Sequence, residues 1–367
     1  MVSSGPRRSF TGCCSIVPVH ILERLKGHPD PEVVRKASAT MRISNNLAVA
    51  RAQMRPGPFV TTALVRQGCR RQIFDCGNTE DLPGETLLRG EGGTANADAA
   101  ANEAYDNSGK TWDFYNQVFG RQSVDNRGKM LTSSVQYGDG YDNAFWTGNQ
   151  MAYGDGDRKV FQHFTGALEV VAHELTHGLT QFTAQLDYQG QSGALNESFS
   201  DVFGSLVKQW SLGQAVDQAD WLIGAGILAP GVSGRALRDM ANPGTAYHDP
   251  ILGTDPQPGH MSNYVDTDGD NGGVHINSGI PNRAFVLTAA AIGGRAWEIA
   301  GKIWYVTLSE RLGHNADFRK CAFETISVAR DYFAKDTTVA AHVAQAWIDT
   351  GVLTVEDVNS VTPPRVA

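Results

Sequence analysis

From residue 166 onward apolar positions recur at the three-to-four spacing of helices, whereas between 73 and 165 they come in short runs broken by Gly, Asn and Asp. The later region holds ALEVVAHELTHGLTQFTAQL from 167, NESFSDVFGSLVKQW from 196, SGIPNRAFVLTAAAIG from 278, AWEIAGKIWYVTLSERL from 296 and ADFRKCAFETISVARDYF from 316, each predicting a helix. The earlier region predicts a sheet-rich lobe interrupted by one helix near 95–119. Residues 1 to about 50 form a separate preface in which Asp30 can cap a helix and Pro31 fits its first turn. Residues 51–72, with five arginines and two prolines, read as an exposed connector. Sheet first and helices later is an α+β plan with segregated layers, and a cleft between the two lobes is the expected place for a site.

Composition narrows this plan. The chain has 367 residues, is 41% hydrophobic and 19% charged, and carries a net charge of −8, which fits a globular enzyme and disfavours capture by nucleic acid or an anionic membrane. No stretch approaches the roughly 18 apolar residues of a membrane span. The first 25 residues lack a signal-type apolar run, so cytoplasmic synthesis is expected, with export by a non-classical route as the other course. Five cysteines at irregular spacing make no disulfide framework.

The chemistry concentrates in His173-Glu174-Leu175-Thr176-His177, an H-E-x-x-H inside a helical segment. One turn apart on one face, two imidazoles can grip one metal ion while Glu174 projects beside it. The bland alternative is a helix with two surface histidines. A catalytic zinc also needs a third protein ligand and an open position. In the next helical segment Glu197 offers a carboxylate, and Asp201, one turn on, can take the ring N–H of a liganding histidine.

Together with Asn143-Ala144-Phe145-Trp146, Tyr153-Gly154-Asp155-Gly156, Ala236-Leu237-Arg238 and Asp270–Gly279, these residues resemble the thermolysin family of zinc endopeptidases over about 73–355. That family is a type case of zinc held by two His and one Glu. The short preface and Cys14–Pro18 look like the protealysin-type branch, whose members carry a small propeptide. The resemblance implies a two-lobe α+β metalloprotease, divided as propeptide 1–52, N-terminal lobe with the zinc helix 53–187, helical lobe 188–356 and tail 357–367. It implies one catalytic zinc on His173, His177 and Glu197, with Asn196 and Asp201 behind the histidines. Glu174 is then the general base, Tyr188 and His275 the donors to the oxyanion, and Asp270 the partner of His275. Asn143, Ala144 and Arg238 would bind the substrate main chain, and Phe161, Phe164, Val170, Ile223, Ile227 and Leu237 would wall an apolar pocket for the residue after the cut.

The resemblance fails at the family's calcium sites. Lys208, Leu222, Ala225 and Arg235 stand where acids are expected and only Glu169 and Asp220 remain, so calcium is expected to be absent there. Asp268–Gly273 mimics a calcium loop without its closing Glu and reads as a loop that positions His275. The preface is expected to cover the cleft and keep the precursor latent, with Cys14 either a thiolate ligand to zinc or simply packed. Expected partners are polypeptide substrates, the chain's own propeptide and a proteinaceous inhibitor, with a monomer as the default. The competing reading is a catalytically silent binding protein on the same fold; a zinc aminopeptidase is disfavoured, since no Gly-x-Met-Glu-Asn signature is found.

Overall fold

The computed structural model describes residues 14–53 and 68–361, and the side chains of 14–47 and 68–360 among them. Most of the connector and the extreme N-terminus therefore lie outside the described residues.

The preface forms two helices, α1 (Val19–Leu25) and α2 (Pro31–Gln53). Pro31 opens α2 where its missing N–H costs nothing, and the Asp30 carboxylate accepts from the Glu32 N–H at 2.9 Å, as expected of a cap. Val33, Ala37, Thr40 and Ile43 recur at helical spacing and are buried. Ile43 packs with Cys76, Tyr137, Tyr141, Phe145 and Ala152, and Thr40 Oγ1 accepts from the Asp142 N–H at 3.0 Å. The preface is thus cemented to the lobe that follows.

That lobe is a five-stranded sheet, β1 (Arg71–Asp75), β2 (Thr86–Gly90), β3 (Leu131–Val135), β4 (Ala144–Trp146) and β5 (Met151–Tyr153), in the order β2-β1-β3-β5-β4. β1–β3 and β3–β5 are parallel; the outer pairs are antiparallel. α3 (Ala99–Phe119) begins at the Asp98 cap, whose carboxylate accepts from the Ala101 N–H, and stops at Gly120 with φ 69°. Because β4 is an edge strand, its outer side is open to an added strand, and Ser15 pairs there antiparallel with Phe145.

Two long helices join the lobes, α4 (Leu168–Gln181) and α5 (Gly190–Leu212). They approach closely at Gly204, where a Cβ would come within 2.6 Å of the Glu169 carbonyl oxygen. After α5 a two-residue ribbon, β6 (Leu222–Ile223) with β7 (Arg238–Asp239), fixes Arg238. The helical lobe continues with α6 (Asp270–Asn277), α7 (Gly279–Ile292), α8 (Ala300–Val306), α9 (Phe318–Tyr332), α10 (Thr337–Asp349) and α11 (Val355–Val361). α10, unread in the sequence, buries Val339, Val343 and Trp347, whose ring stacks on Trp304 at 6.2 Å. One apolar cluster runs from Ile16 through α4 and α5 to Leu353, so the two lobes and α1 share a core. Among the described residues no helix is long and apolar enough to cross a membrane.

Candidate active site

α4 is buried along nearly its whole length, so His173, Glu174 and His177 face the interior. α5 lies against it and presents Glu197, also buried. The Nε2 atoms of His173 and His177 face each other at 3.0 Å. Glu197 stands 3.5 Å from the first and 3.4 Å from the second. These three donor groups fall within 4.8 Å of one another.

The other ring nitrogens are committed. His173 Nδ1 is 2.8 Å from Asp201 Oδ1, and His177 Nδ1 is 2.9 Å from Asn196 Oδ1 and 3.1 Å from Ser200 Oγ. With Nδ1 bonded to an acceptor in each ring, the Nε2 lone pairs and a carboxylate converge in one buried space, where they need a proton or a cation between them. Two nitrogens and one carboxylate oxygen with a position to spare is the donor set of catalytic zinc, and these residues fit it. Burial disfavours charge on His173, but Asp201 and Glu197 outweigh it and raise its pKa to about 9. Burial likewise works against Glu197, yet His275, His177 and His173 hold its carboxyl well below the usual range.

Asp201 is the hub behind the histidine. Its oxygens also take Arg238 Nη2 and Nε, each at 2.8 Å, and Asn282 Nδ2 at 2.9 Å. Burial alone would raise its pKa; Arg238 and His173 bring it down to about 2. Arg238 is itself buried and spends Nη1 on the Ile16 carbonyl at 3.0 Å.

On the opposite wall, Asp270, Asn271, Gly272 and Gly273 all have φ between 51° and 81°, a left-handed run that suits Gly at its last two positions. The run folds the Asp270 carboxylate back onto His275, Oδ1 at 2.6 Å from Nδ1 and Oδ2 accepting the backbone N–H at 2.8 Å. His275 Nε2 is 2.8 Å from the Ser15 carbonyl oxygen. Both ring nitrogens thus face acceptors, which calls for an imidazolium. Burial opposes that charge, but Asp270 and Glu197 raise the pKa to about 9. Tyr188 donates its hydroxyl to Glu197 and lies 3.3 Å from His275 Nε2; burial, Glu197 and Cys14 push its pKa well up.

The substrate-side residues line up on β4. Glu174 Oε2 accepts the Trp146 N–H at 3.0 Å. Asn143 Oδ1 accepts from the Val17 N–H at 2.9 Å, and its Nδ2 donates to the Val17 carbonyl at 3.2 Å. The Ile16 N–H donates to the Ala144 carbonyl at 3.2 Å. Ile16 is buried in the same cluster as Phe161, Phe164, Val170, Ile223, Ile227 and Leu237. Cys14 is buried against Tyr188 and Val274.

His173, His177, Glu197, Tyr188, His275, Asp270, Asn196, Asp201 and Arg238 are joined in one connected set of polar contacts, Glu174 and Asn143 bond at β4 and its start, and Phe161, Phe164, Val170, Ile223, Ile227 and Leu237 are buried in the chain-wide apolar core. Three partners go beyond the sequence reading: Ser200, Asn282 and Gln257, whose Nε2 donates to the His275 carbonyl at 2.7 Å. Ser200 stands inside the Asn196–Asp201 motif and is legible there; the other two come from distant segments with no spacing to betray them. Lys208 Nζ pairs with Asp220 at 2.8 Å and Glu169 accepts the Gly224 N–H at 3.2 Å.

A helix carrying H-E-x-x-H, a carboxylate from the next helix and an imidazolium opposite define a zinc metalloendopeptidase. The chain belongs to the thermolysin family. The model described as "Thermolysin metallopeptidase, catalytic domain" matches residues 65–181, and "Thermolysin metallopeptidase, alpha-helical domain" matches 184–352. It is 51% identical over 340 residues to the extracellular metalloprotease of Pectobacterium carotovorum subsp. carotovorum, covering 92% of this chain and 96% of the relative. It is 50% identical over 197 residues to the extracellular minor metalloprotease of Serratia marcescens, covering 54% and 56%. The solved precursor of protealysin from Serratia proteamaculans superposes with a TM-score of 0.84 at 49% identity, covering 93% of this chain and all of that one, so the protein is protealysin-like. One expectation is corrected. Cytoplasmic synthesis without a signal conflicts with relatives named as extracellular, and the lack of a signal-type apolar run in residues 1–25 is too weak a ground for it.

Proposed function

We propose that the protein is a secreted endopeptidase made as a latent precursor, which cuts polypeptides before bulky apolar residues. The observation that supports this most directly is the Ser15–Val17 segment lying along edge strand β4 with its carbonyl at His275 and its side chain Ile16 in the apolar cluster. Residues 1–52 are the propeptide, 53–187 and 188–356 the two catalytic lobes, and 357–367 a tail.

Zinc held by His173, His177 and Glu197 supplies a lowered water pKa and a polarised carbonyl. Asn143, Ala144 and Arg238 align the substrate as an added strand and fix which carbonyl enters the centre. Glu174 takes the proton of the attacking water and passes it to the leaving amine. His275 and Tyr188 donate to the oxygen on which charge develops, and Asp270 keeps His275 protonated for that task. Phe161, Phe164, Val170, Ile223, Ile227 and Leu237 receive the apolar side chain after the cut, which favours a large group by about 1–3 kcal/mol.

In the precursor the cleft is filled by Cys14–Val17, with Cys14 serving the latch from the Tyr188–Val274 wall or, as a thiolate, as a ligand to zinc. A Cys14→Ala precursor as silent as wild type removes the ligand role. The Lys208–Asp220 pair and the absence of acids at 222, 225 and 235 support calcium-free family positions. The same β4 edge suits a proteinaceous inhibitor, and the chain acts as a monomer.

The test is intact mass over time for the zinc-loaded precursor and its Glu174→Ala variant, together with hydrolysis of a quenched peptide carrying Leu or Phe. Loss of about 50 residues and peptide cleavage by wild type alone, both stopped by a chelator, are expected. A wild-type protein that remains inert to every peptide after removal of the preface would overturn the reading.

A further inference from the structure

Segment Cys14–Val17 does more than fill the cleft; it enters in the direction of a substrate. Reading along the chain, the Ser15 carbonyl meets His275 Nε2 at 2.8 Å, the Ile16 N–H meets the Ala144 carbonyl at 3.2 Å, the Ile16 carbonyl meets Arg238 at 3.0 Å, and Val17 is clasped at both backbone atoms by Asn143. That sequence of contacts sets Ser15 before the reacting bond and Ile16 after it. A blocking segment running the opposite way would present an N–H where the carbonyl must be.

We propose that the Ser15–Ile16 peptide bond is a self-cleavage site of this chain, cut within the same molecule and separate from the connector cut. The proposal rests on the site roles given above. Ile16 is apolar and fully buried, as the residue after the cut is proposed to be, and Ser15 offers no branching at Cβ to obstruct attack. Hydrolysis adds one water across the bond. Its oxygen goes to the Ser15 carbonyl carbon, the C–N electron pair stays on the Ile16 nitrogen, and the products are a Ser15 carboxylate and an Ile16 ammonium.

The same contacts explain why such a precursor persists rather than turning over at once. Asn143, Arg238 and the start of α1 just beyond Pro18 hold the new amine in place, so the bond re-forms while the N-terminal piece stays. Within 1–15 the described anchors are the Cys14 side chain and Ser15, so departure of that piece makes the cut final.

The experiment follows the full-length zinc-loaded precursor by N-terminal sequencing and intact mass at several protein concentrations. The expected result is a new terminus at Ile16 and a fragment of residues 1–15, formed at a rate independent of concentration and missing from Glu174→Ala. Ile16→Asp should reduce that cut at least about tenfold while the connector is still processed. A readout free of turnover accompanies it: hydrogen exchange on zinc-stripped Glu174→Ala should find the Ile16 amide protected, and unprotected in the Ile16→Asp partner. Connector processing that runs to completion with Ser15–Ile16 intact, or an unprotected Ile16 amide, overturns the proposal. Hydrolysis of a quenched peptide in the same samples separates this failure from failure of the enzyme reading, which no peptide cleavage at all would signal.

Discussion

Asp201→Asn tests the buried hub, because it removes a charge without removing volume. The carboxylate accepts from His173 and Asn282 and meets Arg238 twice, with every partner buried. Its pKa falls from 3.8 to about 2 in the fold, and at about 1.4 kcal/mol per pH unit this corresponds to roughly 2 kcal/mol of stability. The amide leaves the Arg238 charge buried with no counter-ion and sets an NH₂ against donors, which costs about 3–5 kcal/mol. The larger figure should prevail at pH 7. A depressed pKa contributes stability above pH 3.8 that is lost as pH falls toward 2, so the gap between the two proteins should narrow below pH 4. Zinc affinity should also drop about 10–100-fold, as His173 loses the group that orients it. Urea unfolding in a Glu174→Ala background avoids autolysis, and chelator competition reads the zinc. Replacing Arg238 by Met in the same chain should recover part of the stability but not the affinity. A loss below about 1 kcal/mol with unchanged zinc binding would refute the argument that the pair holds the histidine.

Three further outcomes follow from the same geometry. Asp270→Asn removes the largest influence sustaining charge on His275, so its pKa should fall from about 9 and the alkaline limb of kcat should move to lower pH; an unchanged limb means His275 is not the titrating donor. Leu237→Ala should cut kcat/KM about tenfold for peptides with Leu after the scissile bond and less for Phe, whereas an unaltered ratio places Leu237 outside the pocket. Millimolar calcium added to the zinc-loaded protein should shift Tm by less than about 1 °C, because Lys208 already neutralises Asp220; a rise of several degrees would show a calcium site that persists.

What can be read in the chain depends on whether a residue's role is written in local spacing. α4 and α5 are legible because the 3.6 period that buries Val170, Val171 and Leu175 also places His173 and His177 together, so fold and chemistry leave the same mark. The Asp270–Gly273 loop is legible for a related reason, since a run of Asp, Asn and Gly tolerates left-handed backbone where other residues strain. α10 obeys the same rule, since Val339, Val343 and Trp347 recur four residues apart and pack on α7 and α9, although no motif in it draws attention to the pattern. Arg238 illustrates the limit. Resemblance assigns it one task, a carbonyl beyond the scissile bond, and it does reach the Ile16 carbonyl. Yet its two shortest hydrogen bonds go to Asp201, a partner 37 residues earlier in sequence, and through it to His173. The group that grips the strand in the cleft is therefore the group that steadies a metal ligand, and a strand seated on Arg238 is linked by hydrogen bonds to the zinc helix. No pattern within either segment carries that information, because it arises only when β7, α5 and the preface meet.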